Sequence, residues 1–261
     1  GGVANAGMGL LVIGTKYQKQ QMMDLTVEKA FGMFMEYTHY MVDAILVKRY
    51  FAQSAETIEW LEAMGVEFEG AYRYFPLSEP TWHIVKTGKK IGPGAASVMN
   101  RKMTERAEKL GVTFLMETAA KKILREVRAD GSAGAINGVL AETKDGEEIR
   151  ILARAVLVAT GGAGGNPEMM RSETGYTFGT DMFNFAFPGI TGDGLRMAWE
   201  AGADHVPVRI EQSASLRGLD GLPSAVQNIF YQPNLLVNAF GKRVMNEEFM
   251  QNTTFLSNVV S

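Results

Sequence analysis

The sequence predicts an α/β fold built on a parallel sheet with an inserted β-hairpin, and three stretches carry that expectation. Ala155-Val156-Leu157-Val158-Ala159 is apolar without alternation and halts in Thr160-Gly161-Gly162-Ala163-Gly164-Gly165. A strand with two apolar faces is a buried one, the mark of a parallel sheet. Lys109-Leu110-Gly111-Val112-Thr113-Phe114 has the pattern of a helix handing over to a strand. Ile136–Ala141 and Glu148–Val158 flank Lys144-Asp145-Gly146, a hairpin signal. Glycines at the carboxyl end of a parallel strand let the backbone turn and come close to a ligand. Val156–Gly165 is therefore either a plain strand with its loop or a dinucleotide-binding turn.

Taken in order, residues 1–15 are small and glycine-rich, suited to a loop or helix start packed against a ligand. Asp24 is a candidate N-cap for a helix over Leu25–Tyr40. A second helix, about Asp43–Met64, carries Ile45, Leu46, Tyr50, Phe51, Ile58, Leu61 and Met64 as a core stripe and stops at Gly65. Val66–Thr81 is irregular. A helix over Gly94–Leu110 leads into a strand over Leu115–Val127, a turn at Ala129-Asp130-Gly131 and the hairpin. Thr191-Gly192-Asp193-Gly194 opens a helix over Leu195–Glu200, with Asp193 as its N-cap or as a ligand contact. Beyond His205 the texture turns irregular, so a domain change is expected there, dividing 1–205 from 206–261.

The 261 residues hold 46% hydrophobic and 21% charged residues with a net charge of -3, which suits a packed domain of one to one and a half units. Lys and Arg are scattered, so no basic face points to nucleic acid, and no apolar run is long enough to span a membrane. Gly7–Ile13 lacks the charged leader and cleavage pattern of a signal peptide. The absence of cysteine excludes disulfides, thiolate metal sites and cysteine-held iron–sulfur clusters within these residues. His39, His83 and His205 are not spaced for a metal. His83 is expected in a solvated loop.

The ordered series Gly1-Gly2 with Ala6-Gly7-Met8-Gly9, Thr118–Leu124, the hairpin, Ala159-Thr160-Gly161-Gly162, Thr191-Gly192-Asp193-Gly194 and Asn238, Gly241, Arg243, Asn246, Glu247 resembles the FAD-binding family of fumarate reductase and succinate dehydrogenase flavoprotein subunits. Ketosteroid dehydrogenases and urocanate reductases belong to it too. The resemblance implies an incomplete Rossmann-like FAD-binding domain over 1–205, followed by the start of an α+β capping domain over 206–261. It also implies a preceding strand with G-x-G-x-x-G and a later flavin segment outside these residues. By the same resemblance the FAD contacts are Gly1, Gly2, Ala6, Gly7, Met8, Gly9, Ala120, Ala159, Thr160, Gly161 and Asp193.

The resemblance further implies hydride transfer at flavin N5 to or from a C=C bond next to a carbonyl, with an enoate or enone substrate and an electron donor as partners. The family's ionisable substrate and proton-relay positions fall here on Ala214, Gln227, Phe230 and Gln251, all neutral. A dicarboxylate needs charge-paired clamps, so fumarate itself is not the expected substrate. Arg243 is expected to be a structural residue of its turn. Candidates for substrate contact or proton donation are Tyr231, Gln251 and Arg209, with Glu211 and Arg217 nearby. The alternative is a non-catalytic flavin-bearing or interaction subunit of the same fold.

Overall fold

The computed structural model describes residues 2–74, 78–88, 92, 94–181, 186–187, 189–206 and 235–249. They fall into two compact units, Gly1–Tyr74 with Glu79–Pro207, and Phe75–Ser78 with Val208–Ser261.

The first unit opens with a short 3-10 turn at Val3–Asn5 and strand β1, Gly9–Leu11. Helix α1, Lys16–Gln20, starts at a capping box: the Thr15 hydroxyl accepts from the Gln18 amide, and the Gln18 side-chain oxygen accepts from the Thr15 amide. Helix α2, Val27–Tyr37, is capped by Thr26 rather than Asp24, because the Thr26 hydroxyl reaches the Lys29 amide at 3.2 Å. Helix α3, Ala44–Ala63, lies where the sequence predicts a helix, with Asp43 as its N-cap rather than its first residue.

Only the second half of the α3 stripe is core. Phe51, Ser54, Ile58 and Leu61 are buried at helical spacing, whereas Ile45 and Leu46 are exposed and Tyr50 is about half exposed. Strands β2, Phe68–Tyr72, and β3, Trp82–Val85, join β1 in an antiparallel sheet of order β1-β3-β2. Strand β2 lies in the stretch expected to be irregular, and β1 and β3 are not among the expected strands. Helix α4, Ala96–Lys109, packs Ala96 and Met99 into the core formed with Val12, Ile58, Phe68 and Val85.

A second antiparallel sheet, order β4-β5-β6, is formed by β4, Thr118–Val127, β5, Ala133–Thr143, and β6, Glu148–Leu152. The hairpin is the expected one, with Glu142 opposite Glu148 across the Lys144–Gly146 turn. Helices α5, Pro167–Thr174, and α6, Asp193–Glu200, complete the unit.

Both sheets are antiparallel, so the parallel sheet is not among the described elements. The expected buried strand over Ala155–Ala159 is not formed: none of the described strands pairs with it in a ladder, and Leu157 is 92% exposed. Residues 112–117 are likewise outside any strand, with Leu115 and Met116 turned to solvent.

In the second unit, Val237 bridges Arg243 across a turn at 238–242. The Arg243 Nε donates to Glu247 Oε2 at 2.9 Å, and the Leu236 amide donates to Glu247 Oε1 at 3.0 Å. Arg243 is thus a structural residue of this turn. The Arg243 guanidinium, helped by the Leu236 amide, pulls the Glu247 carboxyl down to about 2.

Candidate cofactor site

The glycine clusters after residue 158 and before α6 fold onto each other. The Gly165 amide donates to the Ile190 carbonyl at 2.7 Å, the Gly192 amide to the Gly162 carbonyl at 3.1 Å, and the Asn166 side-chain amide to the Thr191 carbonyl at 3.0 Å. Asn166 also caps α5, its Oδ1 accepting from the Met169 amide at 3.0 Å. One side chain therefore starts a helix and ties the two loops together.

Small residues are required where the loops meet. A Cβ on Gly194 would sit 2.0 Å from Thr160 Oγ1 and 2.6 Å from Val158 Cγ1. Gly192 is the N-cap of α6, at φ 79° in the left-handed region, with Met169 Sδ 2.3 Å from where a Cβ would stand. The segment over Val158–Thr160 is thereby laid against the N-terminal turn of α6.

Asp193 is exposed in that first turn rather than serving as its cap. Its Oδ2 accepts from the Thr191 hydroxyl at 2.7 Å and its Oδ1 from the Arg196 guanidinium. The Thr191 hydroxyl first and Arg196 second hold its carboxyl below the usual carboxylate range, and the Lys121 charge adds to this. The helix N-terminus favours the same ionised state. Each carboxylate oxygen keeps lone pairs for a further donor. Ala159, Thr160 and Gly161 are exposed beside it, and a Cβ on Gly162 would meet nothing within 4 Å. An ionised acceptor beside open glycine backbone fits a nucleotide with ribose hydroxyls and phosphates.

The amino-terminal glycines form a separate cluster. The Gly94 amide donates to the Ala6 carbonyl at 3.0 Å, the Ala96 amide to Gly7 at 3.0 Å and the Val85 amide to Met8 at 2.9 Å. Ala6, Gly7 and Met8 are thus held between the start of α4 and β3, Gly9 pairs with Ile84 of β3, and Gly2 is exposed ahead of them. Ala120 is exposed in β4 opposite Ala141. Gly1 lies outside the described residues, as do Arg209, Ala214, Gln227, Phe230, Tyr231 and Gln251.

His83 is not the expected loop histidine. It lies in the middle strand of the first sheet with no exposed surface. Its Nδ1–H donates to the Thr81 carbonyl at 3.1 Å, which leaves Nε2 to accept from the Thr15 hydroxyl at 2.6 Å. Burial pushes its pKa down, against the Thr81 hydrogen bond. His205 pairs with Glu173 at 3.0 Å and packs against Trp199. Asn166, Thr191 and Lys121 are the site residues that sequence reasoning missed. The Asn-Pro pair at 166–167 is a helix-start signal that could have found the first.

Residues 3–254 match the family model described as FAD binding domain, and the chain belongs to that family. Its cofactor is FAD. Vinyl phenol reductase of Lactiplantibacillus plantarum is 30% identical over an alignment covering 100% of this chain and 52% of the relative. Among solved structures, the open conformation of a flavocytochrome c3 fumarate reductase matches at a TM-score of 0.68 with 25% identity, over 78% of this chain and 34% of that one. The 3-ketosteroid-Δ4-(5α)-dehydrogenase of Rhodococcus jostii matches at 0.71 with 20% identity, over 99% and 57%. The fold is that of FAD-binding flavoenzymes. The chain spans about half the length of its vinyl phenol reductase relative and a smaller share of the fumarate reductases.

Proposed function

We propose that the protein to which these residues belong is an FAD-dependent oxidoreductase that reduces or forms a C=C bond in an alkene less charged than fumarate, conjugated to a carbonyl or, as in the relative's name, to a phenol. The observation that carries this reading is the joined pair of glycine loops at α6, with ionised Asp193 beside open backbone, in a chain of the FAD-binding family. FAD, when bound, supplies hydride exchange at its N5. Asp193 would accept from hydroxyls of the ribityl chain or ribose, while Ala159, Thr160 and Gly161 would pass their backbone along the adenosine and pyrophosphate. Gly1, Gly2, Ala6, Gly7, Met8 and Gly9 would meet the pyrophosphate and the isoalloxazine, and Ala120 the adenine.

The Rossmann-like parallel sheet belongs to the same proposal. The apolar, mostly exposed segment over 155–159 is suited by its sequence to a parallel ladder, and so is 112–115. The capping domain would begin after residue 205, a reading supported by the division of the chain at Pro207. Tyr231, Gln251 and Arg209 remain the candidate substrate contacts.

The test is turnover by the purified protein at its natural length, with a reduced viologen or flavin dye as donor and a panel of vinyl phenols, enones, enoates and fumarate. Reduction of a neutral or monoanionic alkene, with fumarate slower by at least about a hundredfold, is expected, since an unpaired carboxylate in a closed site costs several kcal/mol. Comparable fumarate turnover would overturn the substrate class. Bound flavin with no turnover of any alkene would favour a flavin-bearing subunit instead.

A further inference from the structure

We propose that Arg125 is a positioning residue for the cofactor: by clamping the carboxyl end of α6 to the hairpin sheet, it sets where the Asp193 end of that helix stands. This rests on the reading of α6 as a flavin contact. The Arg125 guanidinium joins two elements far apart in sequence. Nε donates to the Gly134 carbonyl at 2.8 Å within the sheet, and Nη1 donates to the Ala201 carbonyl at 2.7 Å at the end of α6.

The clamp acts where the helix's own capping stops. The amides of Ala201, Gly202 and Ala203 turn back onto the carbonyls of Met197, Trp199 and Ala198, no basic residue stands in the last turn, and the Ala201 carbonyl takes the Arg125 guanidinium. Ala198, Ala201 and Ala203 line, with Ile123 and Ile136, an open groove of about 330 Å³ between the helix end and the sheet. Small side chains around an open groove supply little dispersion to fix a short helix. A charge-assisted hydrogen bond from a half-buried guanidinium supplies direction that the alanines do not.

Gly202 makes room for the clamp, since a Cβ there would lie 2.9 Å from Arg125 Nη1. The same strand carries Lys121, whose charge helps to hold Asp193 ionised at the other end of the helix. Strand β4 thus acts on both ends of α6.

The experiment uses the protein at its natural length, stripped of flavin and titrated with FAD by fluorescence quenching. Amide hydrogen exchange is measured on the same samples. Arg125→Met is expected to raise the FAD dissociation constant about tenfold and Arg125→Lys, which can hold one carbonyl but not both, by less. Exchange should quicken across 193–202 and stay unchanged in α5 and over residues 138–143 of β5, away from the Gly134 end that Arg125 also holds. Arg125→Gln, which keeps an amide donor but loses the fork that spans both carbonyls, should give the same pattern if Arg125→Met fails to fold. Asp193→Asn is the reference: it should weaken FAD binding without quickening exchange in α6.

Weaker binding by Asp193→Asn together with unchanged binding by Arg125→Met and Arg125→Gln overturns the clamp and leaves the α6 reading standing. Unchanged binding by Asp193→Asn overturns the α6 reading and the clamp with it. Exchange quickened equally through β4 and β5 also overturns the clamp, because it marks a general structural role.

Discussion

At the scale of single residues, His83 shows how burial decides chemistry. A histidine sealed in a sheet and hydrogen-bonded through Nδ1–H to a carbonyl stays neutral, so its folded pKa lies below its unfolded value of about 6.5. Above that pH both states are neutral and the group contributes nothing to pH dependence. As pH falls through about 6.5 the unfolded chain takes up a proton that the folded one refuses, and stability declines by at most about 1.4 kcal/mol per pH unit. Urea unfolding at pH 7.5 and 5.5 should show this decline in the parent and a shallower one in His83→Gln; equal slopes would refute it. Nothing in the sequence around Trp82-His83-Ile84-Val85 distinguishes a loop from an interior strand, because the run is short and its partners lie about ten and seventy residues away. Asp193 was legible as a ligand candidate because glycines flank it. Its identity as a first-turn residue rather than a cap depended on the left-handed Gly192, which a sequence does not display.

At the scale of elements, α6 is held at its amino end by contact rather than by a side-chain cap. Gly194→Ala would drive a methyl into Thr160 and Val158, and overpacking of this kind costs about 1–3 kcal/mol. Thermal unfolding should register that loss, whereas Gly162→Ala, with open space before it, should leave the melting temperature nearly unchanged. A similar fall for both would mean that the loops do not meet as described. The hairpin and α3 could be read in advance because their signals are local: Lys144-Asp145-Gly146 at one, Asp43 and Gly65 at the other. Helix α5 could have been read too, since Asn166 caps it, Pro167 fills its first position and Gly175, at φ 80°, ends it. The sheet β1-β3-β2 could not, because its strands have three to five residues and its middle strand comes last in the chain.

At the scale of the whole molecule, the order of the glycine motifs carried the family, which no one of them could have done alone, and the match over residues 3–254 bears that out. The parallel sheet was not recovered, for a physical reason: a strand exists only with a partner, and none of the described strands is placed to pair with 155–159. From Ala155 to Gly165 the chain has no charged residue. Such a segment, apolar and with Leu157 exposed, is a template for self-association. Leu157→Lys should therefore act with opposite signs in two settings. In the 261 residues produced alone it should raise the soluble yield and shift folding stability by less than about 0.5 kcal/mol, as surface changes do. At natural length, where the proposed sheet would bury that side chain, it should cost several kcal/mol by placing an unpaired charge inside. One lysine thus works as a gatekeeper against precipitation in one molecule and as a fault in the other, and the sign of its effect reports whether the ladder has been closed.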